Sequence, residues 1–112
     1  KILANTEEVI GTRDKFVPEM KTKSSIGRMG VTTCRCAGHG DIGYINRWTM
    51  EITNNTKGTL YLICGRPIAQ IVFYTSSTPR EKYEGKYQSS DSLEEIQRSW
   101  DPRDMLPKGY LG

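Results

Sequence analysis

Short apolar or alternating runs recur along the chain between turn residues: KILA, GVTTCRC, RWTMEIT, TLYLIC and IAQIVFY, with breaks such as TNNTKG and CGRP between them. Strand-length runs with this punctuation predict an all-β domain. In WTMEIT the alternation is strict, so a strand would put Trp48, Met50 and Ile52 on one face and Thr49, Glu51 and Thr53 on the other. A carboxylate on the polar face of a strand anchored by large apolar residues is a candidate chemical tool. On alternation alone, a solvated side chain is the simpler reading.

Two segments depart from the strand rhythm. SSIGRMG reads as one helical turn that Ser24 or Ser25 caps and Gly30 ends. DSLEEIQRSW places Leu93, Ile96 and Trp100 at helical spacing behind a Ser92 and Glu95 capping box, and Asp101-Pro102 stops it.

Composition narrows the class. The 112 residues make one domain, with 36% hydrophobic and 26% charged residues, eleven glycines and five prolines, a globular profile. No apolar run approaches the roughly 20 residues of a membrane span, so no membrane partner is expected. The chain opens at Lys1 without methionine or a secretory leader, which reads as an interior point of a longer polypeptide. Net charge is +3, from 16 basic and 13 acidic residues spread along the chain. Without a dense basic run, a nucleic-acid polymer is not the expected partner; a small anion is. Three cysteines, an odd count, favour a reducing cytoplasm, bacterial or that of a phage host, over a disulfide framework.

TTCRCAGHGDIG gathers Cys34, Cys36 and His39, with Cys64 farther on. Structural zinc takes four Cys or His ligands, usually in two pairs. A second pair is missing here, as are the H-x-E and P-C-x-x-C elements of zinc deaminases. The expectation is no zinc and no protein metal ligands. Instead, a core strand from Val31 to Cys36, with packing cysteines, would feed a tight turn whose glycines let backbone approach a ligand. In KTKSSIGRMG, Lys21, Lys23, two hydroxyls and Arg28 crowd the helical turn, a weak anion cradle when taken alone.

Five blocks then act together: LANTEE, VPEMKTKSSIGRMGV, AGHGDIGYINRWTMEITNNT, GRPIAQIVFY and YEGKYQ. In order and spacing they resemble the dCTP deaminase branch of the dUTPase superfamily, across roughly residues 3 to 88. The resemblance implies a distorted jelly-roll-like β barrel of the dUTPase type with one or two short helices. It also implies a homotrimer with active sites between adjacent subunits. Residues 1–88 would be the barrel core, lacking the family's N-terminal region, and residues 89–112 a C-terminal helix and tail.

Residue by residue, the resemblance implies roles. Ser24, Ser25 and Arg28 fall on the S-S-x-x-R motif, Ser24 and Arg28 beside the catalytic carboxylate and water. Asp41 falls on the D-x-G turn that approaches the deoxyribose 3′-hydroxyl, and Glu51 on the general base of the T-x-E-x-x-N strand. Gln70 falls on the I-x-Q element, and Lys86 and Tyr87 on the segment that closes over the triphosphate. Tyr44 and Tyr83 join the substrate contacts. Lys23 and Ser25, with Lys86, would meet the triphosphate and the Mg²⁺ it carries. The implied reaction is zinc-independent deamination of dCTP to dUTP and ammonia. One carboxylate would take the attacking water's proton and return it to the leaving amine.

Some positions depart from the family pattern. Lys23 stands where arginine usually precedes the two serines, Cys34 where some members carry histidine, and Asp41-Ile42 where aspartate-proline is usual. Three other readings are a bifunctional enzyme that forms dUMP, a dUTPase, and a non-catalytic nucleotide-binding trimeric module. The dUTPase is disfavoured by KSSIG in place of R-S-G-L. The module is disfavoured by the retention of Ser24, Arg28 and Glu51.

Overall fold

The structure, a computed structural model, describes residues 1–76, 85, 87 and 92–107. The strand rhythm is realised as β1 (Ile2–Gly11), β2 (Phe16–Thr22), β3 (Val31–Thr32), β4 (Ile45–Asn54) and β5 (Ala69–Thr75). The helices are α1 (Ser24–Arg28) and α2 (Leu93–Ser99), followed by a 3-10 turn (Pro102–Met105). Two antiparallel sheets form, one ordered β1-β4-β3 and the other β2-β5. Among the described residues no strand pairing closes them into a barrel. The all-β class is therefore realised as two facing sheets. No described helix is long and apolar enough to cross a membrane.

β4 carries the core. Trp48, Met50 and Ile52 are buried, as the alternation predicts, and join Met20 of β2, Val31 of β3 and Cys34 in one cluster that also draws in Ile71 of β5. That cluster holds the two sheets together. Burial of Met50 and Ile52 contributes about 1.5–3 kcal/mol each. The Trp48 indole also donates from Nε1 to the Ile10 carbonyl at 3.0 Å, so its one polar atom is satisfied.

β1 is longer than KILA suggests, and it is irregular. Asn5 pairs with Thr49 and Val9 with Arg47, so Thr6, Glu7 and Glu8 together face Trp48 alone. The buried Thr6 hydroxyl holds this bulge. It accepts from the Trp48 amide and donates to the Glu8 carbonyl, both at 2.8 Å.

β2 escapes the sequence reading because Pro18 sits mid-strand, where it removes a ladder donor. The Pro18 carbonyl accepts from the Gly40 amide at 2.8 Å, on the side away from β5. A strand residue's N and O point the same way, so the missing N–H also falls on that side and the β5 ladder loses nothing. The reverse error occurs at TLYLIC, which reads as a strand and forms none. Leu60 and Leu62 pack on the core while Tyr61 and Ile63 are exposed, so the alternation survives without a described partner strand.

The predicted core strand from Val31 to Cys36 also stops early. It ends at Thr32, and the Ala37 amide turns back to the Cys34 carbonyl at 2.7 Å, with Arg35 at φ +38°. This turn cancels the in-plane alternation of the two cysteines: Cys34 is buried and Cys36 exposed. Only Cys34 is a packing residue, its thiol pKa pushed up by burial and by the nearby Glu51 carboxylate.

The glycines that follow are closely packed within the fold. The Gly38 carbonyl accepts from the Met20 amide at 2.7 Å, and Gly40 lies against Trp48 and Pro18, where no side chain fits. At the C-terminal end, the Ser92 hydroxyl accepts from the Glu95 amide to start α2, and Ile96 is its buried anchor. Both α2 and the 3-10 turn lie against β1.

Candidate active site

Glu51 sits mid-way along β4, opposite Leu3 of β1, on the face away from the core cluster. Its strand is fixed on both edges, by β1 on one side and by β3 through Thr32–Thr53 on the other. A cleft of about 360 Å³ opens on this face, lined by Lys1, Cys34, Arg35, Cys36, Ala37, Glu51 and Thr53. Within it, Glu51 Oε2 and Thr53 Oγ1 are buried with no hydrogen-bond partner among the described residues. Buried polar atoms are rarely left so, because an unmade hydrogen bond costs about 1–3 kcal/mol. A carboxylate oxygen and a hydroxyl held ready on a rigid strand are able to bind a water or an amino group and to move a proton.

Ser24, Ser25 and Arg28 are exposed on α1 and do not line the Glu51 cleft. The predicted cap is corrected here: the N-cap is Lys23, with no side-chain cap hydrogen bond, and Ser24 is the first helical residue. Lys23 uses its amide to fasten α1 to the Ile68 carbonyl at 3.0 Å. Gly30 ends the helix as expected, at φ +89°. Lys21 is drawn away from this cluster, pairing with Glu19 at 2.8 Å.

Asp41 is exposed at the head of a turn closed by the Tyr44 amide on its carbonyl at 3.1 Å, with Gly43 at φ +94°. Its carboxylate lies 4.0 Å from His39 Nε2. Tyr44 is half-buried, its ring 6.4 Å from that of Trp48. Gln70 is exposed on β5, opposite Lys21. The Tyr87 carbonyl accepts from Asn46 Nδ2 at 2.9 Å, which brings that residue to the start of β4. Tyr83 and Lys86 lie outside the described residues.

The structure thus brings Glu51 together with Cys34 through Ala37 and Thr53, and Ser24, Ser25 and Arg28 are not among the residues lining that cleft. Sequence reasoning did not single out Thr53 or Arg35, which line this cleft. Thr53 was within reach, since it shares the polar face of WTMEIT with Glu51. Among the described residues, no three His, Cys, Asp or Glu side chains converge as a metal-ligand group.

Comparison with known proteins bears on this arrangement. The chain is 35% identical over 91 residues to the "dCTP deaminase, dUMP-forming" of Methanosphaerula palustris, an alignment covering 78% of this chain and 49% of that protein. It is 39% identical over 82 residues to the protein of the same name from Clostridium acetobutylicum, covering 72% and 46% respectively. A third protein so named, from Methanobrevibacter smithii, is 39% identical over 79 residues, or 70% and 41%. The chain therefore spans about half the length of the curated relatives it matches. The family model described as dCTP deaminase-like matches residues 1–76, which hold β1 to β5 and the Glu51 cleft. On this match, the chain belongs to the dCTP deaminase-like family.

Proposed function

We propose that the protein deaminates dCTP and hydrolyses the product to dUMP. The observation that carries the deamination is the Glu51 carboxylate, whose Oε2 is buried and unpartnered in a cleft among the described residues. In this reading Glu51 accepts a proton from water as the oxygen attacks C4 of cytosine, then returns it to the departing amine, releasing ammonia. A second water cleaves the α–β phosphoanhydride, giving dUMP and pyrophosphate, with Asp41 the carboxylate available for that step. The names of the relatives favour dUMP over the dUTP expected from sequence.

Ser24 and Arg28 orient the carboxylate and water in this scheme. In one protomer they do not line the Glu51 cleft, so we propose that an adjacent subunit of a homotrimer supplies them. The trimer and a jelly-roll closure of the two sheets belong to the same proposal. Lys23 and Ser25 offer an ammonium and a hydroxyl to the triphosphate, Asp41 reads the 3′-hydroxyl, and Tyr44, Gln70 and Tyr87 complete the enclosure, with Tyr83 and Lys86. The donors around α1 fit phosphate oxygens and include no carboxylate, so Mg²⁺ would arrive held by the triphosphate and neutralise its charge.

The test is incubation of the full chain with dCTP and separation of the products. Ammonia, dUMP and pyrophosphate in equal amounts are expected. Ammonia with dUTP would overturn the second step, and no ammonia would overturn the whole reading. Glu51→Gln is expected to lower the rate by about 10²–10⁴-fold with nucleotide binding largely retained. Full activity in that variant would remove Glu51 from the role of base.

A further inference from the structure

Arg35 has no place in the scheme above, yet the structure holds it with some care. It lines the Glu51 cleft. Its φ of +38° makes it the one non-glycine residue with positive φ among the described residues. A side chain with a Cβ is disfavoured there, and such positions concentrate at functional sites. The guanidinium is fixed as well: Nη2 donates to Asn55 Oδ1 at 3.0 Å. Asn55 in turn donates from its backbone N and from Nδ2 to the Gly30 carbonyl, at 2.8 and 3.1 Å. Gly30 closes the segment that begins with Lys23, Ser24 and Ser25.

Arg35 thus lines the cleft with its guanidinium anchored, through Asn55, to the Gly30 carbonyl. It forms no ion pair among the described residues. The bond to Asn55 uses one of five guanidinium donors, which leaves the fork available to a planar or tetrahedral oxyanion. Lys23, the cation at the start of α1, offers a point charge and no fork.

We infer that Arg35 is a further substrate-binding residue, whose guanidinium takes a phosphate group of the nucleotide bound at the Glu51 cleft, with Asn55 as its positioning residue. The inference rests on the reading of that cleft as a deoxynucleotide site. It adds a bidentate phosphate contact from the turn after β3 to those expected from α1.

Arg35→Gly tests it cleanly, because glycine accepts the positive φ and the fold is retained or slightly stabilised. The expected result is a KM for dCTP raised about tenfold or more, kcat within about twofold, and an unchanged or higher melting temperature. Inhibition by pyrophosphate should weaken in the same proportion, and Arg35→Lys should recover part of both losses. An unchanged KM, or an unchanged pyrophosphate inhibition beside a raised KM, overturns the phosphate role. Failure of the unsubstituted chain to release ammonia from dCTP is a separate outcome. It defeats the functional reading first, and this inference with it.

Discussion

Gly40→Ala adds one methyl group at the most crowded point of the AGHGDIG segment. A Cβ there would stand 2.5 Å from Trp48 Cη2, 2.7 Å from Trp48 Cζ2 and 2.8 Å from Pro18 Cγ. Carbon atoms prefer about 3.5–4.0 Å, so relief requires a movement of roughly 1 Å. Neither neighbour yields easily. Trp48 is 5% exposed and tethered through Nε1 to Ile10, while Pro18 is a rigid ring whose carbonyl holds the Gly40 amide. Overpacking of this kind costs about 1–3 kcal/mol. In a chain of this size each kcal/mol lowers the melting temperature by about 4–8 °C. Gly58→Ala is the control, because a Cβ there meets nothing within 4 Å. Thermal and urea unfolding, followed by circular dichroism, should show Gly40→Ala melting at least about 4 °C below Gly58→Ala. Matching midpoints for the two variants would refute the claim that the segment is clamped between β2 and β4.

Two further expectations follow from side-chain environment. With Cys36 and Cys64 exposed and Cys34 buried, an aromatic disulfide reagent should titrate two thiols quickly in the native protein and three in denaturant. Three fast thiols would place Cys34 outside the core. Asp101 is held at a pKa of about 2, below its usual 3.8, because Arg103 donates hydrogen bonds to its carboxylate from side chain and backbone. A depressed carboxyl pKa gives a contribution present above the unfolded value of about 3.8 and lost as pH falls through about 2. Arg103→Gln should return the Asp101 midpoint, followed by NMR titration, toward its ordinary value; an unmoved midpoint would dismiss the pair.

The sequence was most legible where periodicity and packing agree. WTMEIT placed its apolar face correctly because β4 keeps a strict alternation of buried and half-buried residues, and the Ser92 and Ile96 pattern located α2. It was least legible where one residue departs from the regular backbone. Nothing in CRC announces that Arg35 takes a left-handed conformation, and that single φ separates a buried cysteine from an exposed one. Pro18 hid β2 because a proline's tolerance depends on which edge its nitrogen faces, a tertiary fact. For the candidate site, Glu51 was singled out by its strand and its motif. The orphaned state of Oε2, the cleft beside it and the guanidinium held by Asn55 arise only when the turn after β3 folds back over the sheet.

The bulge at Thr6 also fixes which insertions and deletions β1 tolerates. Before it, paired residue numbers sum to 54, as Asn5 with Thr49; beyond it they sum to 56, as Val9 with Arg47. The change is even, so parity is conserved. Leu3 stays on the Glu51 side and Ala4 on the Met50 side, as they would in an unbroken strand. Loss of one residue would leave two residues opposite Trp48, an ordinary bulge, and Leu3 would still pair with Glu51 and Ala4 with Met50. Loss of two would leave every side chain on its present face. The strand beside the candidate base can thus shorten at the bulge without turning Leu3 away from Glu51.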